Sequence, residues 1–472
     1  MSVHSLRRDM SMSMSIGTLK VLMIVATIAV AGSVVTTQAF DQPLFALNGH
    51  DSGSKDADSR IIDDTPAETV DDQPIVTPDD APTGDEPAGD GPAGDEGAPA
   101  VTPGYQIVDI SGMTEITGTV VIGENGSYYI DGRTISSDSG PAISVTAGEV
   151  LIVIKGNCMV TSDDSDAIRV SSGATLTVQD YDGESSLTVR AATVSGKGSG
   201  IGYADHSTGD ITITGMGGLS AYGKGANAFG IGGANSAVTI NDAHIIEAVG
   251  GSDTNTWDTY ATMTDAFGKN GTGGPGIGGR NIEITGSEID LAVGGPKGAG
   301  IGAIYHTPTS ISIVGSVIHN ALGGTASAGI GGSRQESGNG GTQTVDIYIE
   351  NSVITARGGE YGAGIGAGYD THCQTVQGLC TIVICDHSVI DATGGKYAAG
   401  IGTAYHMANL AGSIDDTVDI TNVHCGQQKN SYSVAQDIGY GVIDASRDGL
   451  QVINNGVTFT VAGNVISGPV WY

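Results

Sequence analysis

The sequence predicts an all-β fold, a parallel β-helix of about ten coils, and three observations carry that prediction. The first is a kernel, G-x-G-I-G, at Gly198–Gly202, Gly274–Gly278, Gly298–Gly302 and Gly362–Gly366. Looser copies centre on Ile231, Ile330 and Ile401, and Asp437-Ile438-Gly439 is a decayed eighth. From Ile201 to Ile438 the kernel isoleucines recur at intervals of 24 to 46 residues, a period of repeat architectures. The second observation is alternation. Each kernel is followed by a polar loop and then a strand such as Ile311-Ser312-Ile313 or Val345-Asp346-Ile347-Tyr348-Ile349. A period of two is that of a strand, not a helix. The third is a turn, a second short strand such as Val317-Ile318, and a Gly-Gly pair.

One such unit cannot bury its own apolar side chains, but neighbours stacked at about 4.8 Å can align them into internal ladders. Glycine suits the corners because close backbones and positive φ exclude a Cβ. A β-propeller blade has a similar period, but four strands and near-constant length are at odds with a minimum interval of 24 residues.

The elements follow in order. Residues 1–40 hold Arg7, Arg8 and Lys20, the apolar run Val21–Ala31 and the small-residue ending Thr37-Gln38-Ala39. This is the pattern of a secretory signal peptide. Read as Ile16–Val35, the apolar stretch also approaches the length of a membrane anchor, which would tie the protein to a membrane if uncleaved. Either way the expected location is extracellular or at the cell surface. Residues 41–103 carry 16 acids against Lys55 and Arg60, with repeated Pro, Gly and Asp, the composition of a disordered acidic linker.

The β-helix domain is expected over 104–472. Residues 105–139 have strands but no kernel and form the N-terminal cap and first coil. Ile143 and Ile168 then take the kernel isoleucine's place in two divergent coils, and 452–472 is the C-terminal cap. The long insertion Ser252–Thr272 contains Trp257.

The repeat, the alternating strand and the Gly-Gly corner together resemble the Gly-rich right-handed parallel β-helix domains of prokaryotic surface proteins. These are related in fold to pectate lyases and to cell-surface carbohydrate-binding modules. The resemblance covers residues 105–472 and implies a fold, not a chemistry. Pectate lyase-like enzymes, by that resemblance, use acidic calcium ligands on adjacent coils and a basic residue as proton acceptor. Asp163, Asp164 and Asp166 with Arg169 are the nearest local match, and Asp415-Asp416 is another acidic pair. The Asn-Thr-Asp, Gly-His-Gly and Arg-Ile-Lys motifs of the related polygalacturonases do not occur.

The candidate binding residues sit after the kernels: Tyr203 and His206, Tyr305 and His306, Tyr369 and His372, Tyr405 and His406, with Trp257 as a further stacking residue. Tyrosine rings stack on sugar faces, and His or Asp can bond hydroxyls. The bland alternative is that the tyrosines cap corners by packing along the stack. The net charge of −33 argues against nucleic acid as a partner. Of five cysteines, Cys373 and Cys380 could close a small disulfide, while Cys385 falls where the preceding repeat has Ile349 and is expected to point inward. No metal site or cofactor is assigned, with calcium left open.

The function expected is a non-catalytic surface binding protein or adhesin that recognises extracellular polysaccharide or the cell envelope. The alternatives are a structural spacer and a polysaccharide lyase or glycoside hydrolase. Limited proteolysis should cut within 41–103 and leave 105–472 as one resistant block. An intact 41–103 after digestion would refute that division.

Overall fold

A computed structural model describes residues 107–193, 195–252, 273–303, 307–334, 344–369, 379–405, 409–426, 435–442 and 458–466. The N-terminal apolar segment and the acidic linker fall outside these residues. Among the described residues there is no helix, only strands gathered into three long sheets. Each turn of the chain contributes one strand to each sheet in the order kernel, long, third, and the next turn pairs with it in parallel. The protein is a parallel β-solenoid.

The kernel sheet has 11 strands, from Val120–Ile122 to Ile438–Gly439. Its register aligns Val120, Ile143, Ile168, Ile201, Ile231 and Ile277. The row continues through Ile301, Ile330, Ile365, Ile401 and Ile438. From Ile143 to Ile401 every one of these isoleucines has 0% exposure, so they form one continuous inward ladder. The divergent early coils and the decayed last kernel therefore share the register of the regular ones.

The glycines beside this ladder are required by the neighbouring coil. Ile330 N–H donates to Gly364 O at 3.0 Å, and Ile301 N–H to Gly329 O at 2.9 Å, so adjacent backbones are in direct contact. A Cβ on Gly329 would sit 2.6 Å from Ala321 O and 2.7 Å from Arg357 N, backbone atoms of the third sheet. Gly331 has φ +134°, and its Cβ would lie 1.9 Å from Gly366 O. Close approach and conformation both exclude a side chain there.

The long sheet, 13 strands, runs from Thr114–Glu115 to a terminal hairpin. Alternation works as expected: Ile311 and Ile313 are buried while Ser312 between them is partly exposed. Two further ladders result. One aligns Leu176, Ile211, Val238, Ile282, Ile311, Ile347 and Ile382. The other aligns Val178, Ile213, Ile240, Ile284, Ile313, Ile349 and Ile384. The last parallel strand, Phe459–Val461, folds back on Asn464–Val465 in antiparallel pairing, which ends the stack without another bare parallel edge.

The third sheet has 10 strands and narrows the interior. Its inward positions pair a large residue with a small one, as in Ile289 with Ala292, Ile318 with Ala321 and Ile354 with Ala356. The alanines face the corner where the kernel glycines close against the sheet.

The corner between long and third sheets carries a polar ladder. Ser287 N–H donates to Ser316 Oγ, Ser316 N–H to Ser352 Oγ and Ser352 N–H to Ser388 Oγ, at 3.2 to 3.3 Å. All four serines are at most 3% exposed. The residues before them, Gly286, Gly315, Asn351 and His387, have φ between +47° and +58°. A left-handed residue makes the turn, and the serine meets the buried N–H of the coil before it, which would otherwise lack a partner.

The cysteine placement corrects one expectation. Cys385 pairs in register with Glu350, not Ile349, and lies on the outward face, half-buried, with Sγ 3.7 Å from Tyr348 Oη. Ile384 occupies the inward place. Cys380, opposite Val345, is the inward thiol of that strand; it is fully buried as a free cysteine, and burial pushes its pKa well up. Its candidate disulfide partner Cys373 lies outside the described residues.

Replacing Ile330 by Ala should cost about 2–5 kcal/mol for a buried isoleucine. Gly331→Ala should lower the thermal melt further, because its Cβ would overlap the next coil's backbone. A melt unchanged by either substitution would contradict the packing.

Candidate functional site

The site is built from two positions, one four residues before a kernel isoleucine and one four residues after it. In the coils centred on Ile365 and Ile401, all four are tyrosine: Tyr361 and Tyr369, Tyr397 and Tyr405. In the coil centred on Ile330 the positions hold Ala326 and Arg334. Backbone bonds fix the stacking: Tyr369 N–H donates to Ala326 O at 2.8 Å, Tyr361 N–H to Thr325 O at 3.0 Å, and Tyr405 N–H to Tyr361 O at 3.2 Å.

The four rings gather into one cluster. Tyr361 and Tyr397 lie 5.6 Å apart and 7° from parallel. Tyr369 and Tyr405 lie 5.6 Å apart at 22°. The cross contacts, Tyr361–Tyr369 at 5.4 Å, Tyr361–Tyr405 at 5.9 Å and Tyr397–Tyr405 at 5.1 Å, complete the box. These are the centroid separations of favourable aromatic pairs. The Arg334 guanidinium lies over the Tyr369 ring at 5.9 Å, and Lys396 Nζ over Tyr397 at 5.2 Å.

Between these side chains opens a cleft of about 370 Å³, lined by Thr325, Ala326, Arg334, Glu360 and the four tyrosines. All four rings are half-buried. Arg334 Nε is buried without a hydrogen-bond partner, and the Glu360 carboxylate lies beside Tyr361. Burial, followed by the charge of Glu360, pushes the Tyr361 phenol up to about 12. The cleft thus offers flat apolar faces, neutral phenol hydroxyls, one cation and one carboxylate.

Of the residues expected from sequence, the structure brings Tyr369 and Tyr405 together. Tyr203 and His206 lie elsewhere. Tyr203 follows its kernel isoleucine by two residues rather than four, its ring is 4.4 Å from His206, and the Arg169 guanidinium covers it at 4.4 Å. Five coil steps, about 24 Å at strand spacing, separate its kernel, at Ile201, from the one at Ile365. Tyr305, His306, His372, His406 and Trp257 fall outside the described residues. Sequence reasoning missed Tyr361, Tyr397, Arg334 and Glu360. The signal for the first two was present as G-G-x-Y-x-A-G-I-G, once from Gly358 and once from Gly394.

The acidic residues weighed for catalysis tie coils together. Asp166, 2% exposed, accepts N–H bonds from Ser199 at 2.8 Å and Ala204 at 3.0 Å, and Arg169 Nε at 2.8 Å. Asp163 accepts the Thr193 hydroxyl at 2.7 Å, and Asp164 the Gly140 N–H at 2.8 Å. Asp415 accepts bonds from the Thr417 hydroxyl and N–H and from Asp386 N–H, which hold its carboxyl below the usual range.

Comparison with protein-family models, with curated proteins and with solved structures finds no match.

The Tyr361 shift has a sign. A phenol pKa raised from about 10 to about 12 favours the neutral form in the folded state. The stability this contributes is complete below pH 10 and lost as pH rises through 12. Tyr361→Phe should therefore remove one late-ionising phenol from an ultraviolet alkaline titration and flatten the alkaline loss of melting temperature. A late phase of unchanged amplitude would show that Tyr361 titrates normally.

Proposed function

We propose that this protein is a non-catalytic binding protein of the cell surface, exported through its N-terminal segment, which holds extracellular polysaccharide in the tyrosine cleft. Kinship with the Gly-rich right-handed β-helix surface modules of pectate-lyase-like fold belongs to the same reading. The observation that carries it is the box of four half-buried tyrosines on two consecutive coils, opening into a cleft with Arg334 and Glu360. Carbohydrate-binding sites need flat apolar faces for the C–H side of a sugar ring and a few polar groups to fix its hydroxyls. The cleft supplies both. Its repeat along the axis, about 4.8 Å per coil, is close to the length of one sugar residue in a chain. Binding by a linear polymer gains from such repetition.

A second reading has its own support. The near-parallel stacking of Tyr361 on Tyr397 is also what a purely structural corner cap would adopt, in a solenoid that acts as a spacer.

Polysaccharide retardation of the full chain, with and without calcium, separates the two. Under the binding reading, wild type is retarded by at least one polysaccharide. The Tyr369→Ala/Tyr405→Ala double variant then loses roughly tenfold in affinity, as expected for two aromatic contacts of about 0.5–1.5 kcal/mol each. Absence of retardation, or a double variant that binds equally but melts much lower, would establish the spacer.

A further inference from the structure

The solvent face of the third sheet carries a second cluster, separate from the cleft. Its residues come from three successive strands, His244–Val249, Glu288–Val293 and Val317–Leu322. The register places His244 opposite Glu288, and Glu288 opposite Val317. Glu288 and Asp290, two apart on the middle strand, share the outward face. His244 reaches Asp290 from one neighbouring coil, and His319 reaches both carboxylates from the other. His319 Nε2 lies 2.9 Å from Glu288 Oε1 and 4.0 Å from Asp290 Oδ1. His244 Nε2 lies 2.9 Å from Asp290 Oδ2, the other carboxylate oxygen.

We propose that Glu288, Asp290 and His319 bind a divalent first-row cation of the zinc type, with His244 as the positioning residue that orients Asp290. The ligand atoms of the three all lie within 4.8 Å of one another. Ligands about 2.1 Å from zinc stand about 3.4 Å apart in a tetrahedron, so small side-chain rotations bring the three onto one ion. Each imidazole Nε2 can donate a proton to a carboxylate or offer a lone pair to a cation. On binding, the His319 ring keeps its proton on Nδ1 and turns the Nε2 lone pair to the metal. Two carboxylate oxygens and one imidazole nitrogen suit zinc and its neighbours; calcium and magnesium take all-oxygen sets. The two oxygens of Asp290 thereby divide the work: one goes to the metal, and the other is held by His244, the outer-shell bond that fixes a ligating carboxylate.

Location adds two arguments. The four side chains are 35% to 52% exposed, so an ion enters freely and keeps at least one position for water or an outside ligand. A net charge of −33 concentrates cations at the surface. The ion would also clamp two coils, since Glu288 and Asp290 belong to one and His319 to the next.

The test is calorimetric titration of zinc chloride into the metal-stripped full chain, alongside Glu288→Gln, His319→Gln and His244→Gln, with Asp415→Asn, from the separate group of Cys385, Asp386 and Asp415, as a control. Cobalt substitution, read by its visible absorption, reports nitrogen ligation. The expected result is one zinc equivalent per chain that disappears in Glu288→Gln and in His319→Gln and persists in Asp415→Asn. His244→Gln should weaken it about 10–100-fold, and zinc should raise the melting temperature of wild type but not of His319→Gln. Wild type without that equivalent, or an equivalent unchanged in both ligand variants, overturns the proposal. These surface substitutions touch no core residue, and a calcium response in place of a zinc response would equally count against it.

Discussion

The structure depends on how closely one coil's backbone lies on the next at the kernel. Gly331 and Gly366 approach so closely that a Cβ on the first would stand 1.9 Å from the second's carbonyl. That contact repeats at Gly302 on Gly331, Gly366 on Gly402 and Gly402 on Gly439. In the regular coils it requires glycine after the kernel isoleucine and leaves the isoleucine as the side chain that points inward there. The Ile ladder is thus what backbone contact permits, and burial of its apolar surface is what stabilises it. The alanines at Ala292, Ala321 and Ala356 answer the same limit from the third sheet.

Polar groups obey the stack as strictly as apolar ones. At the corner after the long sheet, each buried N–H meets a serine oxygen from the following coil. In the early coils Asp180 does comparable work, accepting N–H bonds from Gly183, Ser185 and Gly217 at 2.9 to 3.0 Å. Where side chains leave the surface, the same alignment collects them into columns. That is how tyrosines 36 residues apart in sequence, Tyr369 and Tyr405 or Tyr361 and Tyr397, come into ring contact.

The parts of this molecule that repeat were legible in the sequence. Ile143 and Ile168 could be placed in the kernel row because each is followed within a few residues by an alternating strand, and the pairing agrees. Cys385 could not be placed, because strands alternate with a period of two and a shift of one residue turns a side chain from core to surface. The strands Thr344–Glu350 and Leu379–Cys385 are equally long, and Ile384, not Cys385, is the residue opposite Ile349. Half of the cleft was hidden for a different reason. Tyr361 and Tyr397 follow Gly-Gly pairs and read as corner residues, and Arg334 breaks the tyrosine pattern it belongs to. The serine corner gave no signal, since a serine after a turn is ordinary until its burial is known. The His244, Glu288, Asp290 and His319 group needs three coils in register before any two of them meet.

The serine ladder has a mechanical meaning. Its bonds run one way, each N–H donating to the coil that follows, and each is shared by only two neighbours. A stack held by identical nearest-neighbour joints has no central keystone. Under tension along its axis such a molecule comes apart as a rope of beads does, one coil at a time from an end, at nearly the same force for each. A solenoid built this way yields in steps and absorbs work over a long extension, where a globular domain of equal size would give way in a single event.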